Sequence, residues 1–159
     1  MIQQRGKRLV WALVCAAFWV GALCAISLLE APLKFQAPGI TIPLGLGIGR
    51  LVFAALNILE AVILVMLATV LLVPLKNRVT AGFMKLFWAI ATVYLFKVLV
   101  VRPPLNSRTE LVLAGAEPGQ SVWHYVYIAA DMTLLVLLGC FIFAVAKQLI
   151  ASIHTAAQA

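Results

Sequence analysis

The chain has 159 residues, of which 65% are Ala, Val, Ile, Leu, Met, Phe, Trp, Tyr or Cys and only 11% are charged. An ordinary soluble domain is about 45–50% apolar, counting Gly, and about 25% charged, and one of about 150 residues still exposes roughly a third of its unfolded surface. A soluble globular enzyme is all but excluded, as is disorder, which needs low hydrophobicity; four spanning helices of about 20 residues would use about half the chain.

Twelve Lys and Arg against five Asp and Glu give a net charge of +7. In a soluble protein that excess would point to nucleic acid. Here the basic residues sit at the ends of apolar runs, so they read as topology signals and lipid-headgroup contacts, and no nucleic-acid partner is expected.

The first span is expected over about Leu9 to Leu29, behind the basic cluster Arg5-Gly6-Lys7-Arg8. Its apolar run exceeds the usual 7–15 residues of a signal h-region, which favours an uncleaved span. The second is expected over about Leu44 to Val73, the third over Ala81 to Val101 and the fourth over Val122 to Ile150. Pro74 and Pro103-Pro104 follow spans two and three, where proline readily stops a helix. Between the spans lie a compact, non-helical first loop (Ala31 to Pro43), a short hairpin (Pro74 to Thr80) and a second loop (Arg102 to Ser121). Within the last, Thr109 to Leu113 reads as a short strand or a surface-lying piece. The fold class that follows is all-α: a single transmembrane domain, 1–159, forming an antiparallel four-helix bundle with short loops.

Lys and Arg near the span ends set orientation. Arg5, Lys7, Arg8, Lys76, Arg78, Lys85 and Lys147 fall on one side without acids. Lys34, Arg50, Lys97, Arg102 and Arg108 fall on the other, among Glu30, Glu110 and Glu117. The richer side should be cytoplasmic, with both termini. Trp11 near one boundary, and Trp123, Tyr125 and Tyr127 near the other, match aromatic belts.

Ionisable groups inside a span are the informative positions, since each costs about 2.5–3.5 kcal/mol at mid-helix on insertion scales. Glu60 is about 20 Å from either end of its helix, too far to reach water along it, so it must be neutralised, paired or wet. With Asn57 one turn before it and Arg50 two turns before that, it makes a polar stripe. His124, Tyr127 and Asp131 fall on one face of span four. Asp131 and Lys97 lie about 14 and 8 Å deep and can pair. The plainer readings are snorkelling for Lys97 and Arg50, an interfacial role for His124, and a structural Lys97–Asp131 pair in place of a transport relay.

Cys15, Cys24 and Cys140 form no CxxC or zinc spacing and read as small buried packing residues. Gly45, Gly47 and Gly49 form no phosphate loop, but Gly45 and Gly49 have GxxxG spacing that favours close helix approach. Motifs for zinc hydrolysis, serine catalysis and covalent haem are absent. No catalytic residue, metal or cofactor is expected.

The stretch Glu30-Ala31-Pro32-Leu33-Lys34-Phe35-Gln36-Ala37-Pro38, continuing through Gly49-Arg50, Phe53, Asn57 and Glu60, resembles small bacterial four-span membrane proteins with an EAPxKFxAP…GRxxFxxLNxxE block. Trp19-Val20-Gly21 also resembles a step in a wider family of unknown function that includes a eukaryotic transmembrane protein associated with drug resistance. The resemblance implies a bacterial inner membrane and marks Glu30, Lys34, Arg50, Asn57 and Glu60; it brings no biochemical activity. The leading expectation is a non-enzymatic subunit whose segment 30–60 docks another membrane protein or a second copy. The alternatives are a small-solute, proton or metal-ion transporter using Glu60, Asp131 and Lys97, and a membrane-bound redox or haem-linked enzyme.

Overall fold

The computed structural model describes residues 2–73, 81–116, 119 and 121–157, with side chains from Gly6 to His154 within those ranges except at Ala81. The expected hairpin 74–80, with Lys76 and Arg78, lies outside the described residues, as does Glu117; Arg5 is described in its backbone alone.

Four helical rods are long and apolar enough to cross a membrane: Gly6–Gln36, Ile42–Leu72, Gly82–Leu113 and Val122–His154. The protein is an all-α, four-helix, multi-pass membrane protein. The first rod is α1 (Ile2–Leu23), a π-helical stretch (Cys24–Glu30), a single turn α2 (Ala31–Leu33) and a 3₁₀ turn (Lys34–Gln36). The second is α3 (Ile42–Leu72). The third is α4 (Ala81–Phe96), a second π-helical stretch (Lys97–Val101) and α5 (Arg102–Leu113), and the fourth is α6 (Val122–Ala157).

Three sequence expectations are corrected. Pro103-Pro104 do not end the third rod: they occupy the first turn of α5, directly after the wider π turn. A proline in a first turn forfeits no needed N–H, and a π insertion accommodates the bonding offset. The segment Thr109 to Leu113 is accordingly helical and not a strand. That helix stops at Gly115, whose φ of 90° and bonds from Gly115 and Ala116 back to Val112 and Leu111 satisfy the last carbonyls.

The expected first loop is likewise half helix, because Pro32 sits in the first turn of α2 and the rod runs to Gln36. Only 37–41 turns the chain, through Gly39 at φ 81°. Thr41 then caps α3, its hydroxyl accepting from the Leu44 amide, with Pro43 in the first turn.

The rods alternate in direction. Phe35 meets Gly45 between rods one and two, Arg50 meets Glu110 between two and three, and Phe83 meets Phe141 between three and four. Ser27 meets Asp131 between one and four and closes the ring. The chain turns at 37–41 and again after Leu113 at the same end of the bundle, away from the termini.

Only about a third of each span is buried inside the bundle. The outer surface is apolar, with Phe18, Leu51, Ile58 and Phe143 all exposed. That distribution suits lipid, which is as apolar as these side chains, so packing and interhelical polar contacts hold the bundle together. Trp19, Leu56, Leu67, Ile90, Leu134 and Phe141 fill its axis. Cys15 is buried, Cys24 half-buried and Cys140 exposed on the outer face; the expectation of three buried cysteines fails at Cys140, which the turn of α6 points away from the axis.

Candidate functional site

The charges inside the bundle converge on one ammonium. Lys97 lies in the second π stretch and is fully buried. Its Nζ donates to Glu60 Oε1 and Oε2 at 2.8 and 2.7 Å and to Asp131 Oδ1 at 2.7 Å. Lys97 does not snorkel. It joins rods two, three and four at one point, a triad in place of the simple pair. Its Nζ also stands 5.2 Å from the centroid of the Tyr127 ring, in cation–π range.

Both carboxylates have further donors. Trp19 Nε1 donates to Glu60 Oε1 at 3.0 Å, and Ser27 Oγ donates to Asp131 Oδ2 at 2.7 Å. Every rod therefore contributes a polar group to a core where an uncompensated charge would cost several kcal/mol. The site holds one fixed positive charge and two carboxyl groups. Whichever carboxyl loses its match to Lys97 must find a proton or another cation, so the arrangement is sensitive to local charge.

Asn57 sits one turn from Glu60 and is buried. Its side-chain oxygen accepts from Tyr127 Oη at 3.1 Å and its backbone oxygen from Tyr94 Oη at 2.8 Å, while its Nδ2 has no partner among the described residues. Interhelical hydrogen bonds in a bilayer average about 0.6 kcal/mol and reach about 1.7. Tyr127→Phe should therefore lower stability in detergent by no more than about 1.7 kcal/mol; a larger loss in a thermal melt would show that Tyr127 does more than bridge two helices.

The expected stripe Arg50–Asn57–Glu60 separates. Asn57 and Glu60 point into the core, whereas Arg50 pairs with Glu110 at 3.4 Å and is well exposed. The expected face His124–Tyr127–Asp131 separates in the same way. Tyr127 and Asp131 are buried, so Tyr127 does not belong to the aromatic belt, and His124 is exposed with its ring edge-on to Tyr125. Lys34 and Glu30 pair with each other at 3.2 Å.

Above the triad, towards the loops at 37–41 and 114–121, lies a cavity of about 530 Å³. Asp131 and Ser27 line it beside Arg50, Arg102, Lys34 and His124. The glycine pair serves this region: a side chain at Gly45 would strike the Phe35 ring, and one at Gly49 would lie 2.9 Å from Lys34 Nζ. The close approach is thus made by the 3₁₀ end of the first rod.

Sequence reasoning missed Trp19 and Ser27 as partners of the carboxylates, and Arg102 as more than a topology mark. A tryptophan in the middle of a span, away from either interface, was a usable signal for the first. The π stretches left none. Among the described residues no group of three or more His, Cys, Asp and Glu side chains is placed to hold a metal ion.

Compared with protein-family models, with curated proteins and with solved structures, the chain matches none.

Proposed function

We propose that the protein is a small-solute transporter of a bacterial cytoplasmic membrane, with both termini cytoplasmic and the cavity at the opposite face. The observation that carries this reading is the double position of Asp131, which binds Lys97 through one oxygen and Ser27 through the other while lining the cavity. A charged solute arriving in the cavity changes the field on a carboxylate that shares its cation with Glu60. That coupling is what an ion- or proton-linked carrier needs, and intramembrane ionisable residues commonly mark such pathways.

The docking role expected for residues 30–60 drew on Glu60 needing a partner. Its partners Lys97 and Trp19 are in the same chain, which moves the balance towards transport. The basic excess at the end bearing Lys7, Arg8, Lys85 and Lys147 supports the orientation.

The test is flux in proteoliposomes with an entrapped pH-sensitive dye, comparing wild type with Glu60→Gln and Glu60→Asp. Proton-coupled flux should fall at least tenfold in E60Q and recover in part in E60D, with both proteins folded. Wild-type protein without flux, together with a stoichiometric membrane partner that co-purifies in mild detergent and is lost in E60Q, would make the docking reading the better one.

A further inference from the structure

The cavity above the triad has a chemistry of its own. Three cations line it, Lys34, Arg50 and Arg102, against the single acid Asp131. The remaining wall is largely apolar, from Leu28, Phe35, Leu46, Phe53, Leu105 and Ile128. From this combination we infer that the cavity binds an anionic amphiphile, its oxyanion headgroup held by Lys34, Arg50 and Arg102 and its hydrocarbon chain lying along the apolar wall.

Each cation is placed for this in a different way. Arg102 is half-buried and makes no hydrogen bond or ion pair among the described residues, so its guanidinium is unspent. A guanidinium presents a planar fork suited to phosphate or carboxylate oxygens. The Lys34 side chain is only 10% exposed, lies over Gly49, and has its ammonium 5.6 and 5.4 Å from the Phe35 and Phe53 rings. It is held at the wall and does not sweep through solvent. Arg50 has only a long, exposed contact to Glu110, of a kind worth little in water. A headgroup oxygen can displace that contact.

The π stretches build the space. Cys24–Glu30 and Lys97–Val101 lie directly before the segments that line the cavity, Ala31–Gln36 and Arg102–Leu113. An inserted residue turns everything after it by about 100° relative to an unbroken α-helix. In the third rod that turn separates inward-facing Lys97 from cavity-lining Arg102 five positions later. The volume, about 530 Å³, falls in the range of small-ligand sites. Asn106 and Thr109 add neutral hydrogen-bonding groups one and two turns beyond Arg102.

The inference deepens the transport reading by naming the class of its cargo, and rests on that reading for the movement alone; binding is measured separately. The probe is dioleoyl phosphatidylglycerol added to delipidated full-length protein, with dioleoyl phosphatidylcholine as the zwitterionic control, read by native mass spectrometry. One phosphatidylglycerol should bind per chain at least tenfold more tightly than phosphatidylcholine. Arg102→Gln should weaken it about tenfold, Arg102→Lys less, and Lys85→Gln, at the other end of the bundle, not at all. Melting curves of the variants check that they fold.

Equal retention of the two lipids, or equal loss in R102Q and K85Q, would overturn the oxyanion site. Binding of inorganic phosphate as tight as that of the lipid would overturn the role of the chain and leave a free-anion site. If phosphatidylglycerol binding depends on Arg102 while no flux is found, the binding inference stands and the transport reading falls.

Discussion

Replacing Lys97 with Met should destabilise the protein more than any other single change in the triad, by about 3–5 kcal/mol. The substitution keeps the length and flexibility of the side chain, so the loss is one of charge and not of volume. It removes the ammonium that meets Glu60 and Asp131 and leaves two carboxyl groups facing each other in a core that water does not enter. Glu60→Gln and Asp131→Asn each leave a matched ion pair and should cost less, on the order of 1–3 kcal/mol. The double variant K97M/E60Q should be more stable than K97M alone, because it removes one of the two orphaned acids. Thermal or SDS-driven unfolding in detergent gives the ranking. A K97M protein as stable as E60Q would mean that the triad does not carry the charge balance described above.

The second large effect is expected at Trp19, which is fully buried and is the largest side chain so placed. Truncating a buried Trp or Phe to Ala costs about 3–5 kcal/mol in soluble cores. Part of that is transfer of the ring out of water, and this part shrinks when the unfolded reference also lies in lipid. What remains is the cavity, the edge-on contact with Tyr94 at 6.0 Å and the hydrogen bond to Glu60. Trp19→Ala should therefore fall at the lower end, about 3 kcal/mol. Trp19→Phe keeps most of the volume and should lose only about 0.6–1.7 kcal/mol. Trp11→Ala, at an exposed position, should change little. The same unfolding assay separates the three, and a Trp19→Phe loss equal to that of Trp19→Ala would show that the indole N–H and not the packing dominates.

Much of the site was legible beforehand because charge in an apolar run is rare and expensive. Glu60, Asp131 and Lys97 stood out on depth alone, and helical spacing placed Asn57 beside Glu60 and Tyr127 on the face of Asp131. The same periodicity overreached where it assumed an unbroken α-helix. Arg50 is two turns from Asn57 and lies at the mouth of the bundle, where the side chain reaches out to Glu110. Tyr127 looked like an interfacial aromatic from its neighbours Trp123 and Tyr125, yet its ring covers Lys97 and its hydroxyl reaches Asn57.

The prolines carried a different ambiguity. A Pro-Pro pair after an apolar run marks either the end of a helix or the first turn of the next one. The sequence has no local feature that separates these cases, and the π stretch ahead of Arg102 resolves it in favour of a continued rod.

What the sequence determined by itself is the solvent, the number of rods and the level in the bilayer at which the costly charges lie. These follow from composition and from distance along one helix, which are properties of the chain alone. The tertiary structure decided which groups meet. Trp19, Ser27, Glu60, Lys97 and Asp131 come from four different rods, and their convergence depends on how each rod is rotated about its axis. That rotation is set by packing and by two π insertions, whose local cost is small and whose stability comes from the contacts they create on neighbouring rods.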